Sequence, residues 1–466
     1  MEKTLEIVYK YSLDYLDRVD DLPVNAISGK NDLERALEYP LQDRGIDSVQ
    51  VIEQLIADAE QGIVHSTSGR FFGWVMGGNV RSALAAEWLT SLWDQNAALY
   101  VSSPASAIAE EVAGKWLKEL FGIPQDASFA FTTGCQMAHF TCLSAARNAL
   151  LERNGWDVEK SGLFGAPKIK IFTSELLHGS ALRAIRFLGL GTDNIEYLET
   201  NNDRQLSPEA LCEALETNQQ PAIVVLQAGD LNTGTFDDFD KLIAITHQYN
   251  AWVHIDGAFG LWAATSENFK HLLKGCENAD SWATDGHKWL NVPYDSGYAF
   301  VRNVSAHYKA LSIRASYLTH SDGARDQMDW TPEWSRRARG FATYAAIREL
   351  GRIGIGQIID KSCYLCAKLI EELGKIPGIE IVSEPIINQG LVRFMPPKNH
   401  LDHPDPNSFT DFIIQENLDK GMSFLGGTEW NGIRCMRISV CNWQTNEDDI
   451  SKTVQTFREI LYKYYL

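Results

Sequence analysis

Short apolar segments alternate with helical patterns through the middle of this chain. Six of the segments have the length and composition of buried strands, and they lie at residues 127–131, 168–173, 222–226, 252–255, 281–283 and 297–301. Strands that alternate with helices are typical of a mostly parallel sheet covered by helices on both faces. The pattern therefore predicts an α/β fold, in which ligands bind beyond the carboxyl ends of the strands.

The two ends of the chain have different patterns. Residues 1–70 contain helical patterns with polar breaks and predict an N-terminal helical arm. Residues 71–345 carry the alternating pattern and predict a large ligand-binding domain. Residues 346–466 predict a smaller C-terminal α/β domain. Its short strands are expected at residues 379–382, 391–394 and 435–440.

Composition argues against two classes of function. The chain has 466 residues, of which 45% are hydrophobic, enough for a large core. Its formal charge of -19 argues against nucleic acid, whose phosphates favour basic surfaces. The sequence has neither a signal-peptide pattern nor an apolar run of about eighteen residues, the length needed to span a membrane. We therefore expect a cytoplasmic protein with no membrane partner.

Two groups of cysteine and histidine residues raise the question of a metal site. Cys363 and Cys366 have a metal-binding or redox spacing, but they lie within a helical pattern and no second pair accompanies them. Buried small apolar residues are the simpler interpretation. His400 and His403 flank a loop rich in Pro and Asp and are interpreted as surface residues. We expect no metal ion.

A lysine and an aspartate follow two of the predicted strands. Lys288 lies between His287 and Trp289 after the strand at 281–283, and burial beside these rings would lower its pKa. Asp256 ends the strand at 252–255, where a buried carboxylate needs a partner. The alternative interpretation of Lys288 is a surface lysine, and that of Asp256 is a helix N-cap.

Two more residues with useful chemistry follow strands. Gly134 opens a helix, and the free N–H groups and dipole at such a turn suit a phosphate. An ordinary strand-to-helix turn is the alternative. His178 follows the strand at 168–173, and its imidazole could stack on a pyridine ring or donate a proton. A packed or surface histidine is the alternative there.

These residues together suggest a cofactor. A Schiff-base lysine and a carboxylate for the ring nitrogen are the two protein groups that pyridoxal phosphate chemistry most needs. The order of phosphate turn, histidine, aspartate and lysine resembles the fold-type I pyridoxal phosphate enzymes. The His-Lys-Trp segment and the stretch from Trp252 to Ala258 resemble the group II amino acid decarboxylases, which include the aromatic-L-amino-acid and glutamate decarboxylases. The resemblance extends from about Phe71 to Trp443.

The resemblance implies an architecture and partners. It implies the fold of fold-type I transferases, with a mostly parallel seven-stranded sheet in the large domain and a smaller C-terminal domain. It also implies pyridoxal 5'-phosphate as cofactor, an L-amino acid as substrate and a homodimer with its sites at the dimer interface.

The resemblance further implies roles for residues around the cofactor. Lys288 is expected to be the Schiff-base lysine, Asp256 the partner of the pyridinium nitrogen and His178 the residue stacked on the ring. The remaining expected contacts are Gly134, Cys135 and His287 at the phosphate and Ala258 against the ring.

Tyr317 is the candidate proton donor. It lies in a segment that matches the mobile catalytic loop of the family, and it is expected to protonate the α-carbon after carbon dioxide leaves. Relatives that oxidatively deaminate their substrates tend to have Phe at this position, so Tyr317 favours plain decarboxylation. Arg437 aligns with an arginine that binds the substrate carboxylate in many fold-type I enzymes. A structural ion pair is the alternative for Arg437.

The substrate side chain is the least constrained feature. Phe72, Trp74 and Tyr100 lie in the region that lines the pocket in relatives, and they favour an aromatic substrate. Aromatic residues are also common in cores, which is the alternative interpretation. An acidic substrate would need a cation, which Arg81 or the cluster at residues 336–339 could supply.

Three positions depart from the family pattern. Asp285 stands where the family usually has Asn, and an anion there would sit badly beside a phosphate. Cys135 and Gln136 replace small residues or Ser in the phosphate turn, and the loop at residues 229–234 replaces a Thr-rich segment. These departures indicate a divergent, bacterial-type branch.

The sequence therefore predicts decarboxylation of an L-amino acid, preferably an aromatic one, to the amine and carbon dioxide. Another reaction of the same cofactor, such as aminotransfer or carbon–carbon lysis, is one alternative, because fold does not decide reaction type. Decarboxylation of glutamate or aspartate is a second alternative, and a non-catalytic protein with this fold is a third.

Overall fold

The computed structural model describes residues 1–313, 323–398 and 402–465. It divides the chain into two compact units. The first unit contains residues 1–78, 365–384 and 390–466, and the second contains residues 79–364 and 385–389. The three-part division expected from the sequence stays a prediction. No helix among the described residues has the length and apolar character of a membrane span.

Within the described ranges the chain forms fourteen α-helices and eleven strands. The helices are α1 (Glu2–Arg18), α2 (Lys30–Leu37), α3 (Ser48–Ala59), α4 (Arg81–Trp93), α5 (Pro104–Phe121), α6 (Cys135–Arg153), α7 (Val158–Ser161), α8 (Gly179–Phe187), α9 (Pro208–Thr217), α10 (Phe239–Gln248), α11 (Val304–Leu311), α12 (Gly340–Gly374), α13 (Pro406–Lys420) and α14 (Glu447–Tyr465). The strands are β1 (Ser128–Thr132), β2 (Lys170–Ser174), β3 (Ile195–Leu198), β4 (Ala222–Gln227), β5 (Trp252–Asp256), β6 (Ser281–Asp285), β7 (Gly297–Val301), β8 (Ile379–Ser383), β9 (Gln389–Phe394), β10 (Gly426–Trp430) and β11 (Ile433–Ser439).

The second unit is built on a seven-stranded sheet in the order β1-β7-β6-β5-β4-β2-β3. Strands β2 to β6 pair in parallel, and β7 runs antiparallel to both of its neighbours, β1 and β6. Strands β1, β4, β5, β6 and β7 are buried along their whole length, and β4 and β7 are accordingly almost entirely apolar. The predicted α/β fold with a mostly parallel sheet is confirmed.

One strand of this sheet, β3, has no counterpart among the predicted strands. It lies at the sheet edge, and Ile195, Glu196 and Tyr197 are only partly buried or exposed. An edge strand needs apolar residues on one face only, so its four residues lack the continuous apolar run that marks a central strand.

The turn from β1 into α6 lies against β7. A Cβ on Gly297 would come within 2.5 Å of the Cα of Gly134, so this contact needs a glycine in β7. The close approach places the first turn of α6 directly over the sheet. Most of α6 is buried, including Ala138, Cys142 and Leu143.

The first unit contains a four-stranded sheet in the order β10-β11-β9-β8. Its core combines side chains from β9, β11 and helices α12, α13 and α14, and Phe72 lies in that core. The strands predicted at residues 379–382, 391–394 and 435–440 correspond to β8, β9 and β11, whereas β10 was not expected because its Gly-Gly start resembles a turn. Cys363 and Cys366 lie on α12, as the helical pattern predicted, and both are buried cysteines that form no disulfide.

The first three helices of this unit, α1 to α3, have no buried residues. Each nevertheless carries apolar side chains. Those with about half of their area exposed are Leu5, Tyr9, Leu13, Leu16 and Leu55. A helix whose apolar face lacks a partner is typical of a surface that another polypeptide covers.

A fully buried ion pair lies in the second unit. The Arg336 guanidinium donates to Glu110 Oε2 at 2.8 Å and to the carbonyl of Phe131 at 2.7 Å, and both charged side chains are 1% exposed or less. Arg337 instead pairs with Glu87 at the surface, at 2.6 Å, with 41% of its side chain exposed. The two neighbouring arginines therefore differ mainly in burial.

We predict that Arg336→Met lowers the free energy of unfolding by about 3–5 kcal/mol, because it leaves the buried Glu110 carboxylate unpaired. Arg337→Met is the matched control, and it should cost about 0–1 kcal/mol because water screens an exposed pair. Urea unfolding of the three proteins measures both values. Equal losses for the two variants would contradict the prediction.

Candidate active site

The candidate residues of the second unit lie at one edge of its sheet. Asp256 ends β5, and Lys288 and His178 follow β6 and β2. Gly134 follows β1, which is parallel to β6 because both are antiparallel to β7. The carboxyl ends of these four strands share one edge, where α/β proteins bind ligands. The structure thus brings together residues that are up to 154 positions apart in the chain.

Asp256 is buried, and only one of its two carboxylate oxygens accepts a hydrogen bond from a described residue. Its Oδ1 accepts a hydrogen bond from the Ala258 amide at 3.2 Å. Its Oδ2 lies 3.4 Å from His139 Nε2, an ion-pair distance, and accepts no hydrogen bond from any described residue. Burial alone would raise the pKa of Asp256, but the nearby His139, His178 and Lys288 outweigh burial and lower it. The carboxylate is therefore ionised and has room for one more donor.

A chain of buried side chains supports Asp256 from behind. His139 Nδ1 lies 2.8 Å from His254 Nε2, and His254 Nδ1 lies 2.9 Å from Ser281 Oγ. The Trp252 indole donates to the same hydroxyl at 2.9 Å. If the Ser281 hydroxyl donates to His254, one neutral tautomer of each histidine satisfies these contacts, and His139 Nε2 then donates to Cys135 Sγ at 3.4 Å without a hydrogen bond to Asp256 Oδ2.

His254 is held neutral. Burial, together with the neighbouring His139, lowers the pKa of His254 to about 3. Two adjacent imidazoles cannot both carry charge in a buried space without a large cost. The contact with neutral His254 therefore fixes the orientation of the His139 ring beside Asp256.

Cys135 belongs to the same cluster. Its Sγ lies 3.4 Å from His139 Nε2, and the potential ligand atoms of Cys135, His139 and Asp256 all fall within 4.8 Å of one another. Burial, with the nearby Asp285 and Asp256 carboxylates, raises the pKa of the Cys135 thiol. A protonated thiol is a poor metal ligand. That this protein binds no metal stays a prediction.

Lys288 forms an ion pair with the residue that ends β6. Its Nζ lies 3.0 Å from Asp285 Oδ2, and 19% of the side chain is exposed. The sequence led us to expect a lowered pKa, and that expectation was wrong. Burial does lower the pKa of Lys288, but the Asp285 carboxylate outweighs burial, so the pKa is raised. Lys288 is reachable from solvent and charged.

Asp285 also contacts the predicted phosphate turn. Its Oδ1 accepts a hydrogen bond from the Cys135 amide at 2.6 Å, at the first residue of α6, and lies 3.3 Å from His287 Nε2. The Ser296 amide donates to His287 Nδ1 at 3.1 Å, so the ring proton is on Nε2. Burial lowers the pKa of His287, which makes the ring a neutral donor.

His178 and Ala258 flank the same edge. The His178 imidazole is exposed and caps α8, where its Nδ1 accepts a hydrogen bond from the Ser180 amide at 3.2 Å. Ala258 is partly buried, and its carbonyl accepts the Asp285 amide hydrogen bond at 2.9 Å. The ring of His178 is exposed, and the side chain of Ala258 is small.

Other predicted site residues lie elsewhere. Tyr317 falls outside the described residues. Tyr100 belongs to the second unit, is partly buried and donates its amide to Asp326 at 2.9 Å. Phe72, Trp74 and Arg437 belong to the first unit. Phe72 is fully buried there, Arg437 is 8% exposed and Trp74 is 57% exposed. Their substrate roles stay predictions.

Sequence reasoning missed three residues of this site: His139, His254 and Gln227. His139 lies four residues after Cys135 on α6, so helical spacing places both side chains on the same face, and this signal was available. Gln227 pairs in register with Asp256 on the neighbouring strand, and its buried Nε2 has no hydrogen-bond partner among the described residues. Only strand order makes Gln227 a neighbour of Asp256.

The arrangement fits pyridoxal phosphate at its ring end. The Asp256 Oδ2 acceptor suits a protonated pyridine nitrogen, and Gln227 Nε2 on the neighbouring strand is a buried donor without a partner among the described residues. Lys288 supplies an amine, and α6 supplies a helix N-terminus for phosphate. Asp285 already occupies that N-terminus, so the phosphate end fits only if this carboxylate changes position.

Comparisons with known proteins agree with this fit. The pyridoxal-dependent decarboxylase conserved domain matches residues 31–395. An aromatic-L-amino-acid decarboxylase of Bacillus atrophaeus is 25% identical over 457 residues, covering 96% of this chain and 92% of that protein. An acidic amino acid decarboxylase of Bos taurus is 26% identical, covering 90% and 82%. The crystal structure of Oryza sativa TDC with PLP and tryptamine shares the fold, with a TM-score of 0.90, 20% identity and 98% coverage of both chains.

We predict that His254 makes stability depend on pH. Its pKa is about 3 in the folded protein and about 6.5 in the unfolded chain. The unfolded chain therefore binds more protons between these values, and stability falls as pH decreases from about 6.5 towards 3. At a pH of about 4.5–5.5 this residue contributes a slope of about 1.3 kcal/mol per pH unit.

Urea unfolding at several pH values should show a shallower slope for His254→Asn than for the wild-type protein. The exposed His271 provides the matched control, because His271→Asn should leave the slope unchanged. Identical slopes for all three proteins would mean that His254 is not held neutral by burial.

Proposed function

The chain belongs to the pyridoxal-dependent decarboxylase family, and on that premise we propose which residues serve the reaction and which substrate it takes. The protein is a pyridoxal-phosphate-dependent carboxy-lyase that acts on an amino acid. The observation that carries the assignment of residues is Asp256 Oδ2, a buried carboxylate oxygen without a hydrogen-bond donor among the described residues. Such an oxygen costs stability unless a ligand supplies the donor.

Asp256 would hold the ring nitrogen of the cofactor in its protonated form, and Lys288 Nζ would bind the cofactor aldehyde. When bound, pyridoxal phosphate supplies an electron sink at the amino acid α-carbon. His178 and Ala258 would contact the faces of the ring. The amide of Cys135, next to Gly134, and the Nε2 proton of His287 would hold the phosphate.

His139 would act as a positioning residue. Its Nε2 is 3.4 Å from Asp256 Oδ2, and its Nδ1 is held by His254. Because the ring is fixed on both sides, it would keep the Asp256 carboxylate pointed at the ring nitrogen and ionised. Asp256 must stay ionised for the ring nitrogen to keep its proton.

Tyr317 would protonate the α-carbon after carbon dioxide leaves. This proposal rests on the match of residues 314–320 to the catalytic loop of the family, and this segment lies outside the described residues. The phenolic hydroxyl of Tyr317, which a phenylalanine would lack, supplies the proton that amine formation needs.

An aromatic amino acid is the substrate class that we propose. Trp74 exposes 57% of its surface, adopts a left-handed backbone conformation with φ of 47° and lies 5.2 Å from the Phe424 ring. A bulky residue rarely adopts that conformation without a functional reason. Two cations that could have served an acidic substrate are already paired, Arg336 with Glu110 and Arg339 with Asp295.

A homodimer and a cytoplasmic location complete the proposal. The half-exposed apolar side chains of α1 and α3 support the homodimer, because a second copy of the chain would bury them. The cytoplasmic location stays a prediction.

We predict that Lys288→Ala abolishes carbon dioxide release and the visible absorbance change when pyridoxal phosphate binds, because no other amine takes its place. Purified protein is assayed with a panel of single L-amino acids. Accumulation of the pyridoxamine form with a keto-acid acceptor, without carbon dioxide release, would instead indicate aminotransfer.

The matched control for this experiment is Lys309→Ala, which removes an exposed lysine of α11 that pairs with Glu152. It should leave carbon dioxide release unchanged. Light scattering of all three proteins checks that they are folded and should give the mass of a dimer. Full activity of Lys288→Ala would refute the assignment, and a monomeric active wild type would refute the dimer.

We predict that the kcat/KM for an aromatic amino acid exceeds that for glutamate or aspartate, and that Trp74→Ala lowers it about tenfold, which corresponds to the loss of one aromatic contact of about 1.4 kcal/mol. Phe164→Ala, at a ring that is 99% exposed, is the control and should have no effect. A preference for acidic amino acids would overturn the substrate class while leaving the reaction unaffected.

A further inference from the structure

Three donors converge on the Asp285 carboxylate, one from α6 and two from the residues that follow β6. The Cys135 amide lies 2.6 Å from Oδ1, His287 Nε2 lies 3.3 Å from the same oxygen, and Lys288 Nζ lies 3.0 Å from Oδ2. The Asp285 side chain is 4% exposed. A helix N-terminus, a neutral imidazole proton and an ammonium group are the donors that proteins use to bind phosphate.

Two of these donors, His287 Nε2 and the Cys135 amide, depend on Asp285 as their acceptor. His287 Nδ1 already accepts the Ser296 amide, so the ring can donate only through Nε2, which faces Asp285. Cys135 is the first residue of α6, where backbone N–H groups lack partners within the helix. Asp285 therefore satisfies a donor set that would otherwise be open to an anion.

The space beside these donors is narrow. A Cβ on Gly134 would lie 3.2 Å from His287 Cε1 and 3.4 Å from Asp285 Oδ1, so the imidazole and the carboxylate both pack directly on the turn. A phosphate that shared the Cys135 amide with Asp285 would place two anions a few ångström apart in a buried site. Like charges at that separation repel strongly where water is excluded.

We propose that the Asp285 carboxylate occupies the phosphate position of the cofactor site in the cofactor-free protein, and that the phosphate displaces it from the Cys135 amide on binding. This inference rests on the proposed function, since it takes Lys288 and the α6 turn as the cofactor site. Displacement also breaks the Asp285–Lys288 ion pair, and the amine is then free to lose its proton. The cofactor phosphate thus controls the reactivity of Lys288.

If Asp285 has this role, it affects the binding of pyridoxal phosphate and of pyridoxal differently. Pyridoxal, which lacks the phosphate, leaves Asp285 in place and meets a charged lysine. Asp285→Asn removes the competing anion and keeps the size of the side chain. The affinity for pyridoxal phosphate should rise about tenfold, because repulsion between two buried charges is removed.

The experiment measures the Kd of pyridoxal phosphate and of pyridoxal, by absorbance titration, for the wild-type protein and Asp285→Asn. The ratio of the pyridoxal Kd to the pyridoxal phosphate Kd should rise at least about fivefold in the variant, because only the phosphate meets Asp285. An equal gain for both ligands would overturn the proposal and show that Asp285 acts through Lys288 alone. A weaker Kd for pyridoxal phosphate in Asp285→Asn would also overturn it.

Two further variants serve as controls, one for the loss of a carboxylate elsewhere and one for the folding of Asp285→Asn. Asp193→Asn removes an exposed carboxylate by the same chemical change and should alter neither Kd. Asp285→Ser is a second neutral variant, and it must show the same rise in ratio if Asp285→Asn does not fold. If wild-type protein shows no absorbance change that depends on Lys288, the proposed function fails. If that change is present and the ratio stays constant, only this inference fails.

Discussion

Two carboxylates end neighbouring strands of the central sheet, Asp256 on β5 and Asp285 on β6, and burial makes each depend on donors from other elements. A buried anion without donors would shift its proton equilibrium or unfold its surroundings. Asp256 keeps one oxygen for a ligand, whereas both oxygens of Asp285 have partners within the protein. Asp256 can therefore accept a hydrogen bond from the cofactor ring without rearrangement, whereas we propose that Asp285 must move before the cofactor phosphate can bind.

A single helix serves both carboxylates. The amide of Cys135, at the start of α6, donates to Asp285, and His139, one turn later, approaches Asp256. Helical spacing places the two positions on the same side of α6. The helix can reach both strand ends because Gly297 lets the β1–α6 turn lie against β7. A shift of α6 would therefore alter both the ring end and the phosphate end of the site.

The fold was largely predictable from local pattern. Central strands such as β5 and β7 are buried on both faces, and their apolar runs agree with the structure to within one residue. The edge strand β3 and the Gly-Gly start of β10 escaped prediction because neither needs a continuous apolar run. Lys288 and Asp256 were recognised because each follows a strand in an unusual local setting.

The sequence by itself determined the strand and helix pattern, the family resemblance and the identity of the lysine and aspartate, since these depend on residue type and short-range spacing. Only the tertiary structure decided the charge state of Lys288, because its pKa follows from the 3.0 Å contact with Asp285 rather than from the aromatic residues beside it in sequence. The tertiary structure also brought His139 and Gln227 to Asp256. Those contacts depend on strand order and on how α6 packs on the sheet, which local sequence does not specify.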